Sequence, residues 1–259
     1  LTGGFVPLMY RRISDFALPQ TPPLLTTDFD WTLPAHMDVL GGRSLAEHLA
    51  DSRFVTISSL GTEPPVQRYQ HERFGTKTLG PVYAEFLAPL VGSEIDRRGR
   101  PRSVVVVQPG LTAQALHYLD LLFVEPMPFD ASTWTELSLK ESTTILLPNP
   151  ASYVAQKLLA WPDRVSKKRD KDLAYVYDVA VLTQEHWPDL ANVVVRLKRG
   201  FPKVWFDRIG KLVRRLFESV ASEGPIAIVR QYQGIPGRVP TESAASKTVA
   251  NFSKAIGLD

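Results

Sequence analysis

Hydrophobic and polar positions follow two different periods along this chain. In the first 147 residues, short apolar runs alternate with polar positions every second residue, which is typical of β-strands. The predicted strands cover residues 26–33, 54–57, 69–78, 82–87, 103–108 and 142–147. From residue 151 onward, apolar positions recur every three to four residues, which is typical of amphipathic helices. The pattern predicts an α+β protein in which a mixed sheet is followed by a helical C-terminal part.

Helices are predicted mainly in the second part of the chain. The predicted ranges are 41–51, 153–161, 172–182, 201–220 and a last helix that Thr241 caps, and residues 3–10 are predicted as a turn into a short helix. Residues 116–123 are apolar enough for a helix or a strand, and the proline-containing stretch 13–26 predicts a loop. Because the period changes at Pro148, we expect a sheet domain at 1–147 and a helical domain at 148–259.

Composition narrows the class of protein. The chain has 259 residues, of which 44% are hydrophobic, so it is able to bury a substantial core. It has no cysteine, which excludes a disulfide scaffold, a zinc–thiolate site and a cysteine nucleophile. No apolar run approaches the roughly 20 residues that a membrane-spanning helix needs. We therefore expect a cytoplasmic protein that does not bind membranes.

Charge is distributed unevenly along the sequence. Residues 1–130 contain 11 Lys and Arg against 14 Asp and Glu, whereas residues 131–259 contain 19 against 13. This difference indicates either an acidic metal-binding half and a basic half that faces an anionic partner, or chance variation over a solvated surface. Between residues 196 and 215 only Asp207 opposes eight basic residues, which fits a solvated helix face or a surface that binds RNA phosphates.

Three carboxylates are candidates for a metal site. On a strand, Asp28 and Asp30 would point to the same face, where their charges repel unless a divalent cation lies between them. Carboxylate oxygens suit Mg²⁺. Glu85, in a short apolar strand, is the candidate for a third ligand that would hold a second ion. The alternatives are an Asp-x-Asp in a solvated turn and a Glu85 that is only an edge-strand charge.

The glycine pair Gly3-Gly4 stands directly before the first predicted helix. Glycines at this place let backbone N–H groups approach a phosphate at the start of a helix. The alternative is that they only allow a tight turn into the helix.

The order of these motifs resembles that of the nucleotidyltransferase superfamily with the polymerase-β-like fold. The resemblance is carried by Gly3-Gly4, then Asp28-Phe29-Asp30, then Glu85. A second segment runs from Pro148 through Lys157-Leu158-Leu159 and Arg164 to Lys171-Asp172, and is similar to one in bacterial abortive-infection, type IV toxin-like nucleotidyltransferases. Two departures are the 23 residues between Gly4 and Asp28, about twice the usual gap, and the Glu at position 85 where the family usually has Asp.

The resemblance implies an enzyme that uses two Mg²⁺ ions and a nucleoside triphosphate. It would transfer a nucleoside monophosphate to an acceptor hydroxyl, with tRNA as one possible acceptor, and release pyrophosphate from a cleft that the helical domain completes. Asp28, Asp30 and Glu85 would bind metal, Gly3 and Gly4 would contact phosphate, and a neighbouring antitoxin protein is a further possible partner.

The resemblance also places Lys157 and Asp172 in the active site. Lys157 lies on an apolar helix face, where a charge needs a partner, and either Asp172 or a phosphate would serve. The alternative for this pair is a plain salt bridge between two helices. The alternative for the whole chain is a non-catalytic protein that keeps the fold and binds nucleic acid or a partner through its basic half.

Overall fold

The structure is a computed structural model that describes residues 1–17, 21–24, 26, 28–39, 41–58, 67–76, 80–93, 95, 102–133, 142–237 and 239–259. It divides into two compact units. The first contains Leu1–Phe5 and Thr26–Asp120, and the second contains Val6–Leu25 and Leu121–Asp259. The predicted domain boundary after residue 147 stays a prediction, which separate expression of the two segments would test.

Strands dominate the first half of the described chain and helices the second. In chain order the elements are a 3₁₀ turn at Gly3–Phe5, α1 (Val6–Tyr10), β1 (Asp28–Thr32), α2 (Leu45–Asp51), β2 (Phe54–Ser58), β3 (Gln67–Thr76), β4 (Gly80–Pro89), β5 (Val104–Gln108), β6 (Leu111–Leu116), β7 (Met127–Asp130), β8 (Thr144–Leu147), α3 (Pro150–Ala160), α4 (Ser166–Leu182), α5 (Trp187–Gly200), α6 (Lys203–Leu216), α7 (Glu223–Tyr232) and α8 (Glu242–Ile256). This order confirms the predicted fold class, a mixed sheet followed by helices.

The first unit is built on a six-stranded mixed sheet. Its strand order is β2-β3-β4-β6-β5, and β1 pairs with β4 as well. β4 is parallel to β1 and β6, whereas β3 is antiparallel to both β2 and β4. Alternate residues of the strands, such as Tyr69, Ala84 and Phe86, form a buried core on one face, and α2 packs there through Leu45 and Leu49. The other face is left for the polar positions of the same strands.

The second unit is helical, with α3 at its centre. Every side chain from Pro150 to Leu159 is buried, and α3 packs against α4, α5 and α6. The start of α3 is well specified, because the Asn149 side chain accepts a hydrogen bond from the Ala151 N–H at 3.0 Å and Pro150 occupies the first helical position. A charged residue on this helix is therefore forced into the interior of the unit.

The stretch between the glycine pair and β1 belongs to the helical unit. In α1 the Tyr10 hydroxyl donates a hydrogen bond to the Pro148 carbonyl at 2.5 Å, and the Ala17 N–H donates to the Leu182 carbonyl at 2.9 Å. These contacts account for the long spacing between Gly4 and Asp28, because the chain makes an excursion to the helices before it returns to the sheet. Within the described residues, no helix is both long and apolar enough to cross a bilayer.

Candidate functional site

The three predicted carboxylates lie on one face of two adjacent strands. β1 and β4 pair in parallel, with Asp28 opposite Tyr83 and Asp30 opposite Glu85. Residues at i and i+2 of a strand, and directly opposed residues of paired strands, point to the same face. This face is the one that turns away from the core formed by Ala84 and Phe86.

The glycine turn lies directly against Asp30. The Thr2 N–H donates to the Asp30 carbonyl at 2.7 Å, so the chain start pairs with β1. Gly3 has a φ of +70°, and a Cβ added there would lie 1.8 Å from Asp30 Oδ2. The missing side chain of Gly3 thus gives the Asp30 carboxylate its room, and only glycine fits both the backbone conformation and the contact.

A cation that the sequence did not suggest as a site residue lies on the same face. Arg68 on β3 is directly opposite Glu85, and its Nε lies 2.9 Å from Glu85 Oε1. The Arg68 side chain is 47% exposed and that of Glu85 14%. The guanidinium carbon also lies 6.0 Å from the centre of the Tyr83 ring. The signal for Arg68 is the strand register, which places it beside Glu85 and which periodicity alone does not reveal.

The carboxylates of this face are candidate ligands for a divalent cation. Asp28 and Asp30 supply the pair of carboxylates that Mg²⁺ often takes, with water and phosphate oxygens as further ligands. Among the described residues, no three or more His, Asp or Glu side chains are grouped so that they could jointly bind one metal ion. Glu85, the predicted third ligand, is paired with Arg68. Metal binding on this face, with one ion or two, stays a prediction.

Lys157 and Asp172 form a buried ion pair between α3 and α4. Lys157 Nζ donates to Asp172 Oδ1 at 2.8 Å, and both side chains are more than nine-tenths buried. The ammonium also lies 5.5 Å from the ring centres of Tyr153 and Tyr175, within reach of a cation–π interaction. Arg164 Nε lies 3.5 Å from Asp172 Oδ2. The sequence leaves Asp172 and a phosphate open as partners of Lys157, and in the structure Lys157 is paired with Asp172.

A second buried carboxylate in the helical unit was not anticipated. Asp178 on α4 accepts a hydrogen bond from the Tyr232 hydroxyl at 2.5 Å and one from Arg11 at 3.1 Å. Desolvation by burial raises the pKa of Asp178 to about 6, although the Arg11 cation and the two hydrogen bonds oppose this rise. Arg11 also donates to the Thr21 carbonyl at 2.9 Å. The network ties the 6–25 excursion to α4 and α7.

α6 presents a basic surface above an apolar cavity. Its buried side is formed by Phe206, Ile209, Gly210, Leu212, Val213 and Leu216. Its exposed basic side chains are Lys203, Arg208, Lys211, Arg214 and Arg215. Arg208, Lys211 and Arg215 surround a cavity of about 260 Å³ whose apolar lining includes Leu158 and Leu212. Such a surface has the charge and shape to bind an anionic partner with an apolar group.

The predicted site residues are divided between the two units. Gly3, Gly4, Asp28, Asp30 and Glu85 belong to the sheet unit, and Lys157 and Asp172 belong to the helical unit. Within each unit the predicted residues are neighbours: Asp30 contacts Gly3 and opposes Glu85, and Lys157 binds Asp172.

Comparison with known proteins gives one match. A family model described as Nucleotidyltransferase matches residues 49–196, which is more than half of the chain. The matched range includes Glu85, Lys157 and Asp172, whereas the glycine pair and the two aspartates of β1 precede it. No curated protein and no solved structure matches. By the extent of this match, the chain belongs to the nucleotidyltransferase family.

Proposed function

We propose that this protein is a Mg²⁺-dependent nucleotidyltransferase that transfers a nucleoside monophosphate from a nucleoside triphosphate to an acceptor hydroxyl. The observation that carries the proposal is the placement of Asp28 and Asp30 on one sheet face, with the Asp30 carboxylate packed against Gly3, in a chain of this family. A glycine turn beside a pair of carboxylates offers backbone donors to phosphate and oxygen ligands to a cation.

The reaction forms one bond and breaks another at the α-phosphorus. The acceptor oxygen attacks this atom, the bond to the bridging oxygen of the β-phosphate breaks, and pyrophosphate leaves while the hydroxyl proton passes to base or solvent. A bound divalent ion would make the hydroxyl more acidic and offset the charge of the leaving group. Asp28 and Asp30 would hold this ion, and the backbone of Gly3 and Gly4 would receive phosphate oxygens.

The resemblance assigns an active-site role to Lys157 and Asp172 as well. Lys157 would neutralise phosphate charge, and Asp172 would orient the ammonium or act on the acceptor. Because the pair is buried and hydrogen-bonded, a purely structural salt bridge is the competing role. The roles are separable by measuring activity and stability together in a Lys157→Arg variant, which keeps the charge and the pairing group but alters the reach of the side chain.

RNA is the acceptor that the surface of the helical unit favours. Five exposed basic side chains on α6 match a phosphate backbone, and the adjacent apolar cavity matches an unstacked base. A tRNA substrate and an antitoxin partner would follow if the protein works as the toxin-like relatives that its sequence resembles. A protein side chain or a small molecule as acceptor fits the sheet face equally well.

The test is transfer of label from each of the four nucleoside triphosphates to total cellular RNA in the presence of Mg²⁺. We expect labelled RNA with the wild-type protein, a loss of at least about 10³-fold in Asp28→Asn and in Asp30→Asn, and full activity in the control variant Asp51→Asn. Asp51 is an exposed carboxylate of α2 in the same unit and is paired with Arg43. Label transfer that survives both active-face variants would show that the proposed chemistry is wrong.

The exposed basic surface also favours a second candidate, a non-catalytic nucleic-acid-binding protein with the same fold. In that case no acceptor would be labelled, and the protein would instead retain RNA with an affinity that falls steeply with salt. Replacing Lys211 and Arg214 by Gln would weaken this retention, whereas Asp28→Asn would not.

A further inference from the structure

The carboxylates of the sheet form part of a longer row of side chains. Ile57 on β2, Arg68 on β3, Glu85 on β4 and Asp30 on β1 are successive partners across four neighbouring strands. Opposed residues share a face, so the row presents an apolar group, a cation and two carboxylates in sequence, and it ends at the turn that contains Gly3. The cation therefore has a fixed place relative to the carboxylates.

Arg68 is paired with Glu85, but part of its side chain is exposed and could contact a ligand. Glu85 engages its Nε, and a guanidinium has four further N–H donors on its two terminal nitrogens. Nearly half of the Arg68 side chain is exposed, and on the same face Val55 and Ile57 are exposed as well. A planar guanidinium in this position matches the oxygens of a phosphate group, which it binds with two parallel hydrogen bonds.

The pairing with Arg68 argues against a second metal ion at Glu85. To bind another ion, Glu85 would have to release Arg68. Its largely buried carboxylate would then bind a metal ion that lies beside a guanidinium, which is also positively charged. The pairing of β3 with β4 keeps Arg68 opposite Glu85 and so opposes this exchange.

We propose that Glu85 is a positioning residue that holds Arg68 on the acidic face, and that the Arg68 guanidinium binds the phosphates of the nucleotide in place of a second metal ion. This inference rests on the proposed function, since it assumes that a nucleoside triphosphate is bound on this face. It assigns to Arg68 a contact with substrate and to Glu85 an indirect role.

The first test measures nucleotide binding without metal, by titrating each nucleoside triphosphate into the full-length protein in EDTA. We expect Arg68→Gln to weaken binding about 10- to 100-fold, because it loses charge-assisted hydrogen bonds, and Arg68→Lys to lie between. The matched control is Arg43→Gln, since Arg43 is as exposed as Arg68 and is likewise paired with a carboxylate in the same unit. The corresponding nucleosides, which lack phosphate, should show no difference between wild type and Arg68→Gln.

A double variant separates a phosphate contact from a packing defect. Arg68→Gln alone leaves Glu85 without its cation, so weaker binding would also follow from a disturbed sheet. In Arg68→Gln with Glu85→Gln the pair is neutral, and a cross-strand hydrogen bond remains available. Binding that stays weak in this double variant supports the phosphate contact, whereas binding that returns to the wild-type value overturns it.

The second test counts metal ions by titrating Mn²⁺ and following the free ion by electron paramagnetic resonance. We expect one bound ion per chain in the wild type, one in Glu85→Gln and none in Asp30→Asn. Two ions in the wild type, one of which Glu85→Gln removes, would overturn the inference.

Wild-type protein that binds no nucleoside triphosphate with or without metal would overturn the proposed function as well, whereas nucleotide binding that Arg68→Gln leaves unchanged overturns the inference alone.

Discussion

Two groups of charged side chains in this molecule are held in place by opposite means. On the sheet, Asp28, Asp30 and Glu85 share a face because backbone pairing of β1 and β4 puts them there, although their charges repel. In the helical unit, Lys157 and Asp172 attract each other and are buried together at the centre of the helices. The first group brings like charges together, which a bound cation would relieve, whereas the second pairs opposite charges within the fold.

This contrast predicts which substitutions should affect ligand binding and which should affect the stability of the fold. Removing a carboxylate from the sheet relieves repulsion and leaves the backbone pairing intact, so it should affect ligands more than the fold. Removing one member of the helical pair leaves the other as a buried, uncompensated charge. Stability measurements on matched variants therefore test the comparison directly.

The largest expected effect is the loss of Asp172. Asp172→Ala leaves the Lys157 ammonium in the interior without its carboxylate, and breaking a buried pair in this way costs about 3–5 kcal/mol of the free energy of unfolding. Lys157→Met combined with Asp172→Leu should recover most of this loss, because both charges are gone. Urea unfolding measures both, with Asp51→Ala as the control for an exposed pair, where little change is expected.

An unfolding free energy of Asp172→Ala within 1 kcal/mol of the wild type would mean that Lys157 finds another partner. It would favour the role in which Lys157 faces a ligand.

The next largest effect concerns pH and the buried Asp178. Its pKa is raised from 3.8 to about 6 by burial, so between these values the folded state holds a proton that the unfolded state has lost. Stability from this group is fully present below pH 4 and is lost as pH rises through 6, by about 3 kcal/mol for a shift of this size. Unfolding between pH 3.5 and 7.5 should show this fall relative to Asp178→Asn, which does not titrate.

Equal pH profiles for the wild type and Asp178→Asn would show that Arg11 and Tyr232 keep the carboxylate ionised throughout. The Arg11–Asp178 contact would then be a fully ionic pair that fastens the 6–25 excursion to the helices.

Gly3→Ala should have a smaller but more informative effect on the sheet unit. The left-handed φ of Gly3 costs an L-residue about 1–2 kcal/mol, and the new Cβ would in addition displace the Asp30 carboxylate. Gly41→Ala is the matched control, since Gly41 has a φ of +64° and open space around it, so it carries the backbone cost alone. Nucleotidyl transfer should fall in Gly3→Ala and stay unchanged in Gly41→Ala.

If the two alanine variants lose the same stability and both keep full activity, the contact between Gly3 and Asp30 has no part in the site.

The sequence predicts the carboxylate face well because its signals are local. Asp28 and Asp30 are two residues apart in one strand, so their shared face follows from the period alone, whereas the place of Glu85 opposite Asp30 depends on the register between β1 and β4. Arg68 has no such signal, because only the register between β3 and β4 brings it to Glu85. The register depends on long-range pairing that a single sequence does not display.

Elements of both units show the same limit. Strand β6 alternates buried and half-buried residues and follows β5 so closely that no separate element was predicted. Helix α5 contains three successive valines, which favour strands, and α7 begins with Gly224 and Pro225, which suggest a turn. Tertiary packing of their apolar sides overrides these local preferences. The excursion at 6–25 likewise depends on contacts such as Arg11 with Asp178, far apart in sequence.

The smallest expected effect is the most direct test of the sheet face as a ligand site. If Asp28 and Asp30 bind Mg²⁺ with a dissociation constant of roughly 1 mM, then 10 mM Mg²⁺ stabilises the fold by about 1.4 kcal/mol through mass action. Asp28→Asn and Asp30→Asn should abolish this shift and leave stability without Mg²⁺ equal or slightly higher, because the repulsion between the carboxylates is relieved. Thermal unfolding with Mg²⁺, and with K⁺ at the same ionic strength, separates binding from screening. A Mg²⁺-specific shift of the same size in Asp30→Asn would place the ion elsewhere and leave the sheet carboxylates without their proposed role.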